Sequence, residues 1–376
     1  MDRRDAGHLS DHGFREFLYT VRQPGVFDRE IVTASILRCG DASPSPREGR
    51  DPQKTCRANI KSGHRHPRGE APRMSERFFD YWRIDVFTDT PLTGNPLAVF
   101  PRATGLSPAE MLGVAREMNI SETTFIFPAS NPSANYRNRI FTPGGEIAFA
   151  GHPSIGTAYV AAQEGLVPHP DGSSVIYQEL EIGVLPLELI CEGGQVRKVI
   201  MTQGEPSLGA ELKNVEPLAG ALGVRAKDVG LKGLVPQIAA TGVQSLQVPI
   251  RSLEVVKGLD PDLRDLRKVL SKFGEKVVCY AFALEAVAPD AAVHARGFAP
   301  DLGIEDPATG SAAGACGAYL AAHGKLPAPT FIVEQGMEIH HASRIEVSVE
   351  TEDGKPKVIR VGGQVAPLIR GTLRLP

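Results

Sequence analysis

Three short stretches hold the side chains best suited to chemistry. Glu122 stands in NISETTFIFP, between a capped helical pattern and an apolar strand pattern. Glu is disfavoured in strands, and a carboxylate at the mouth of a buried strand is partly desolvated. Desolvation raises its pKa toward the range useful for taking and returning protons. His152 lies in AGHPS, and Asp306 and Ser311 lie in EDPATGS. Each has a plainer explanation when taken singly: a loop Glu, a loop His, an Asp capping the turn before Pro307, an N-cap Ser. What sets His152, Asp306 and Ser311 apart is that they occur together in the matching turns of a repeat; Glu122 lies outside it and stands on its place before a buried strand.

The repeat is RIFTPGGEIAFAGHPSIGTAYVAA at 139–162 and RGFAPDLGIEDPATGSAAGACGAYLAA at 296–322. R-x-F-x-P recurs with an offset of 157 and A-Y-[VL]-A-A with an offset of 160, so a three-residue insertion reconciles them. Two patterns in the same order imply duplication and two similar lobes. Each copy places Gly and Ser or Thr directly before a helix of small residues, which lets backbone approach backbone deep inside a surrounding sheet. The start of such a helix offers unpaired N–H groups and a partial positive charge. Two such starts meeting at the seam between lobes make an anion site, able to hold a carboxylate without metal or lysine.

The elements that must position these groups are mostly short strands. RIDVF (83–87) and LAVF (97–100) flank the turn TDTPLTGNP. A helix follows at LSPAEMLGVAREMN, with Ser107 as N-cap, Pro108 at the first helical position and Glu110 closing a capping box. Leu106 and Met111 are spaced as a hydrophobic staple, and the helix stops near Asn119. Strands are expected at TTFIFP, YRNRIF, SVIYQELEI, LPLELI, QVRKVIM, QIAATG, QSLQVPI and KVVCYAFAL, with a helix at 261–273. After the second small-residue run come FIVEQG, RIEVSVE, KVIRVGG and GTLRLP. Long strand-rich stretches with few helices indicate α+β rather than a wound βαβ sheet.

Composition narrows the function. The chain has 376 residues, 42% hydrophobic and 23% charged, enough for two lobes with real cores. A formal net charge of -3 argues against nucleic acid or an anionic membrane as an obligatory partner. No apolar run reaches the length of a spanning helix, and no apolar core follows the early basic residues, so no secretory leader is expected. Five widely spaced cysteines form no C-x-x-C pair, which suits a reducing cytoplasm. The first 73 residues carry 14 Lys and Arg against 10 Asp and Glu, and the turn-rich polar run SPSPREGRDPQKTCRANIKSGHRHPRGEAPR has no apolar period. Residues 1–75 therefore read as a disordered extension, either a basic docking tail or a stretch with no folding role. No phosphate-cradling, dinucleotide or H-E-x-x-H motif is found. His340 and His341 are adjacent, so on a strand they would face opposite sides and make a poor metal pair.

Four motifs in order carry a resemblance: DVFTDTPLTGNPLAVF (85–100), NISETTF (119–125), RIFTPGGEIAFAGHPSIGTA (139–158) and EDPATGSA (305–312), with TGVQSLQVPI and EQG fitting more weakly. Together they span about residues 81 to 376, and the chain resembles the PhzF-like phenazine-biosynthesis isomerase family. The resemblance implies a diaminopimelate epimerase-like α+β fold of two pseudo-symmetric lobes, each a barrel-like sheet around a central helix. Lobe boundaries would fall at 76–205 and 206–363, with a C-terminal strand near 364–376 able to complete the first lobe. It also implies a homodimer that uses no cofactor and no metal, acting on a small carboxylic acid. The family's chemistry is isomerisation of trans-2,3-dihydro-3-hydroxyanthranilate. By motif, Glu122 is the proton-moving acid and base, with His152, Asp306 and Ser311 as catalytic partners and Ser121, Gly151 and Gly310 holding substrate. Diaminopimelate epimerases use one cysteine from each lobe, whereas the corresponding turns here, FAGHP and TGSAA, supply no thiol. Cys316 falls inside the helix as a packing residue. The family's G-R-P-S after E-Q-G is replaced by HHAS at 340–343. Two other readings use the same residues: a non-catalytic carboxylate-binding protein, and a hydrolase with Ser311 as nucleophile, His152 as base and Asp306 as orienter. The second lacks a G-x-S-x-G elbow.

Overall fold

The structure, a computed structural model, describes residues 76–231 and 233–376, and the expected extension over 1–75 lies outside the described residues. β1 (Arg77–Val86), β2 (Asn95–Phe100), α1 (Pro108–Met118), β3 (Glu122–Phe127), β4 (Tyr136–Thr142), β5 (Gly145–Ile147), α2 (Gly151–Gln163), β6 (Gly172–Leu180), β7 (Gly183–Glu192) and β8 (Gln195–Thr202) form the first lobe. After β9 (Ser207–Glu211) and α3 (Glu216–Ala221) the order repeats. β10 (Gln237–Ala240), β11 (Gln244–Pro249), α4 (Leu253–Lys257), α5 (Leu263–Leu270), β12 (Val278–Ala283), β13 (Val293–Ala299), β14 (Ile304–Asp306), α6 (Gly310–Ala322), β15 (Thr330–Gln335), β16 (Ser343–Glu352) and β17 (Lys355–Gly363) form the second. β18 (Val365–Leu375) closes the described chain.

Strand pairing repeats as strictly as the order. In each lobe the first two strands pair antiparallel, and the second and third pair parallel across a helical crossover. The third and fourth pair antiparallel, the fourth folds back on a three-residue strand, and the strand after the central helix joins the fourth in parallel. Two antiparallel pairs complete each lobe. The equivalent last strands β8 and β17 pair with each other and join the lobes. β1 takes β18 as its outer partner, whereas β10 takes β9. The same position is thus filled from the far end of the chain in one lobe and from the linker in the other. This is the α+β architecture of two pseudo-symmetric lobes.

The central helices are buried on every side, as helices without a polar stripe must be. Nearly every residue of α2 and α6 is out of solvent, Cys316 among them. Gly156 shows why small residues are needed: a β-carbon there would stand 2.6 to 2.9 Å from Leu97, Val86 and Ile84. α1 forms as its sequence dictates. Ser107 and Glu110 close a capping box, the helix ends at Asn119 in the left-handed region, and Leu106 and Met111 are buried in one cluster.

Register gives residue-by-residue equivalence between lobes. Thr123 faces Phe141 as Cys279 faces Phe298, and the R-x-F-x-P repeat equates the two phenylalanines. Glu122 then corresponds to Val278, Ile147 to Asp306, and His152, second residue of α2, to Ser311, second of α6. The expected three-residue insertion is corrected here. α2 and α6 are both 13 residues long and start 159 apart. The chain turns that end them match at the same offset: Leu166 N–H bonds Ala161 O as Lys325 N–H bonds Leu320 O. Two residues are inserted, both in the β13–β14 hairpin, and the A-Y-[VL]-A-A match is one position out of phase because small residues align in any register. The expected helix at 261–273 is also shorter: Asp262 caps it, accepting from Arg264 and Asp265 N–H, and it ends at Leu270.

Candidate active site

The two helix starts meet. A β-carbon on Gly151 would stand 4.0 Å from the Ser311 amide nitrogen. Neither start is capped by a side chain: Ala150 has none to offer, and Thr309 turns its hydroxyl to Asp306 at 2.7 Å. Free N–H groups of both first turns therefore converge on one seam, where each carries partial positive charge. Phe87, itself in the left-handed region at φ 66, sets its ring against Gly310, whose β-carbon would lie 3.0 Å from the ring tip.

Glu122, first residue of β3, faces His152 across this seam, with Oε2 3.3 Å from Nε2. The two atoms are not aligned as a hydrogen bond, and neither has another partner among the described residues. Burial, reinforced by the negative charge of Asp306, pushes the Glu122 carboxyl up to about 8. Burial pulls the His152 imidazole down to about 3, against a backbone bond to Pro96 that favours its charged form. At neutral pH this is a carboxylic acid facing a neutral imidazole, and the short distance does not signify an ion pair.

Asp306, last residue of β14, is the second carboxylate of the site. Burial raises its pKa, while bonds from Thr309, Asn95 and the Ala308 N–H work the other way. Asn95 donates to its Oδ1 at 2.8 Å and to Ala308 O at 2.9 Å, so a first-lobe side chain grips the second-lobe turn. Buried Gln335 holds the same turn from beneath, accepting from Thr309 N–H at 3.1 Å and donating to Asp306 O at 2.7 Å. The HHAS segment packs on it too: Ser343 donates to Pro307 O at 3.2 Å, and His341 Nδ1 meets Gly94 O at 3.0 Å. His340 lies at the end of a short 3-10 turn rather than on a strand.

Glu122, His152, Asp306, Ser311, Gly151 and Gly310 thus come to one seam. Ser121 is half-buried beside Glu122 and takes part in none of the cluster's hydrogen bonds. The hydrolase arrangement does not assemble: the Asp306 oxygens are taken by Asn95 and Thr309, and His152 meets Glu122 instead. Ser311 is not the N-cap either, because α6 begins one residue earlier. Asn95, Thr309 and Gln335 were not singled out from sequence. Each sits inside a recognisable motif (GNP, PATG, EQG), but apart from the bond of Thr309 to Asp306, three residues away, their contacts span 26 to 213 residues and no spacing rule reveals those.

The model of the family described as phenazine biosynthesis-like protein, PhzC-PhzF, matches residues 84–371. A protein of Clostridium acetobutylicum named an uncharacterised isomerase is 34% identical, covering 80% of this chain and 99% of that one. The trans-2,3-dihydro-3-hydroxyanthranilate isomerase of Pseudomonas fluorescens is 35% identical, covering 79% and 99%. The crystal structure of a PhzF-family phenazine biosynthesis protein from Bacillus anthracis superposes with a TM-score of 0.71 at 28% identity, covering 79% of this chain and 99% of that one. With matching motifs, a repeated lobe and a paired-helix seam, the chain belongs to the PhzC-PhzF family of phenazine biosynthesis-like proteins and is an isomerase of the PhzF type.

Proposed function

We propose that this isomerase moves a proton between carbons of a small cyclic or unsaturated carboxylic acid, without a cofactor, and that Glu122 is the group that carries it. The observation behind this reading is the Glu122–His152 pair, two mutually facing, otherwise unpartnered atoms beside two converging helix starts. The substrate carboxylate binds the free N–H groups of α2 and α6. The ionised form of Glu122, a minority at neutral pH that grows toward pH 8, takes a proton from an activated carbon, the π electrons shift, and the protonated carboxyl returns that proton to another carbon of the same system. Atoms and electrons balance with no oxidant or co-reactant. Neutral His152 holds the substrate's polar groups, Asp306 tunes the protonation of Glu122, and Ser311 with the nearby amides stabilises the charge that grows as the proton leaves.

Proton transfer by a positioned carboxyl contributes roughly 10²- to 10⁴-fold. Dipoles fixed in advance at the helix starts supply a term of comparable or larger size. The compound named for the Pseudomonas relative, trans-2,3-dihydro-3-hydroxyanthranilate, is the first substrate to test, alongside a panel of cyclic and unsaturated carboxylic acids. NMR should show a double-bond isomer formed by the wild type and not by Glu122→Gln. Equal turnover by the two proteins would overturn the assignment, and a bound but unchanged ligand would favour a binding protein.

A further inference from the structure

The lobes differ sharply in what lines their central helices. Around α2 the first lobe presents Ile84, Val86, Leu97 and Val99, and Thr124, whose hydroxyl is paired with Thr157 at 2.8 Å. By the register equivalence, the second lobe presents Ala239, Thr241, Ser245, Gln247 and Tyr280 at those places. Four of five inward positions are polar where the first lobe has three aliphatic residues and one threonine. Packing alone gives no reason for this, since apolar residues of similar size serve the same fold position next door.

These polar groups gather at the first turn of α6, beside Asp306 and Ser311. Thr241 donates to Ser311 O at 3.2 Å, and Gln247 Nε2 donates to Ala312 O at 3.2 Å and to Ser245 Oγ at 2.7 Å. Gln203, from the end of the first lobe, faces the Thr241 hydroxyl at 3.4 Å. Three of their polar atoms have no hydrogen-bond partner among the described residues: Gln247 Oε1, Tyr280 OH and Gln203 Nε2. Gln247 and Tyr280 are fully buried and Gln203 is 9% exposed. A buried polar atom without a partner is costly, and three beside the helix turn that carries Ser311 are matched by a water or by a polar group of a ligand.

Their chemistry selects the ligand. Burial, the nearby Cys316 thiol and Asp306 keep the Tyr280 hydroxyl protonated. Tyr280 and Gln203 are therefore donors in need of an acceptor, and Gln247 is an acceptor in need of a donor. A hydroxyl, with two lone pairs and one proton, matches that set of needs, and Gln247 and Tyr280 are neighbours in the strand register. An ammonium offers no lone pair and a carboxylate no proton.

We propose that Gln203, Gln247 and Tyr280 form a subsite of the second lobe that reads a hydroxyl substituent on the substrate, and so sets which carboxylic acids are accepted. The proposal rests on the carboxylate-binding reading above. Benzoate and its 2-, 3- and 4-hydroxy derivatives test it, with calorimetric binding to the wild type, Tyr280→Phe and Gln247→Leu. One hydroxy isomer should bind the wild type at least tenfold tighter than benzoate. Tyr280→Phe, which deletes an unpaired buried group and should fold normally, should erase that preference and leave benzoate affinity unchanged, and Gln247→Leu, which also loses its bonds to Ala312 and Ser245, should erase the preference too. Equal binding of all four acids, or a preference that survives both substitutions, overturns the subsite. A loss of stability in Tyr280→Phe with selectivity intact also overturns it, because the hydroxyl then serves an internal water. If the wild type binds none of the four acids, the carboxylate reading falls and the subsite falls with it.

Discussion

Glu122 and Val278 hold the same position in the two lobes: each is the first residue of the third strand, opposite Leu97 and Ser245 respectively in the parallel second strand. The duplicated frame thus provides two places for a proton-moving group, one per lobe, and fills only one with an ionisable side chain. The same inequality runs through the site, where His152 is matched by Ser311 and Asp306 by Ile147. Each lobe contributes what the other lacks.

If Glu122 is the lone base, as proposed, its removal is decisive. Glu122→Gln should lower kcat by at least about 10³-fold while changing ligand affinity little, as expected for a group that acts only in the transition state. It should also stabilise the protein. The folded-state carboxyl is raised to about 8, so the unfolded chain ionises first and folding is penalised as pH rises from about 4.5 toward 8. A neutral amide escapes that penalty. Thermal melts at pH 5 and pH 8 should show the variant gaining most at pH 8, and a variant less stable at both would contradict the assigned burial of charge.

Asp306 is the charge that helps hold Glu122 protonated. Asp306→Asn removes it, so the Glu122 carboxyl should titrate at lower pH than in the wild type. The shift can be read directly from the carboxyl infrared band or carbon NMR signal of Glu122, whatever happens to activity. An unchanged titration would mean that burial alone sets the value.

Much of this was legible in the sequence because the informative residues are local. A capping box, a turn before a small-residue helix and a repeated R-x-F-x-P each depend on neighbours a few positions apart. The repeat implied two facing helix starts and so brought His152, Asp306 and Ser311 together, whereas Glu122 was added by its motif through the family resemblance. What stayed hidden depends on distant contacts. Asn95 reaches Asp306 across 211 residues. β5 and β14 are three residues each, too short for a period. The two-residue insertion was read as three because Ala- and Gly-rich helices carry no register mark of their own.

His294 should make stability fall on the alkaline side. It is fully buried, with Nδ1 2.7 Å from Glu334 and Nε2 2.8 Å from Glu338. Burial alone would depress its pKa, but the two carboxylates overcome this and lift it to about 9. Glu334 also accepts from Val287 and Ala288 N–H, and Arg296 lies near Glu338. A raised histidine contributes its full stabilisation below pH 6.5 and loses it as pH climbs toward 9, on the order of 3 kcal/mol. The first lobe places Arg137 beside Glu179 at the equivalent register, a pair without that titration. Denaturant midpoints from pH 6 to pH 10 should decline in the wild type, and a flat profile would rule the switch out.

The proposed single base also fixes the fate of the migrating hydrogen. A two-base enzyme takes a proton on one side and delivers a different one from the other, so in D₂O its product carries solvent deuterium from the first turnover. Here the second position is Val278, so in the proposed mechanism Glu122 both accepts and returns the proton. Its carboxyl is largely buried against His152, so the captured proton is shielded from exchange during the short life of the intermediate. Product formed in D₂O at early conversion should therefore retain a measurable share of the original hydrogen at the new carbon, on the same face of the ring from which it left. Mass spectrometry gives the share and NMR the face. Complete deuteration in the first turnover, or delivery to the opposite face, would require a second group and would place the chemistry beyond Glu122.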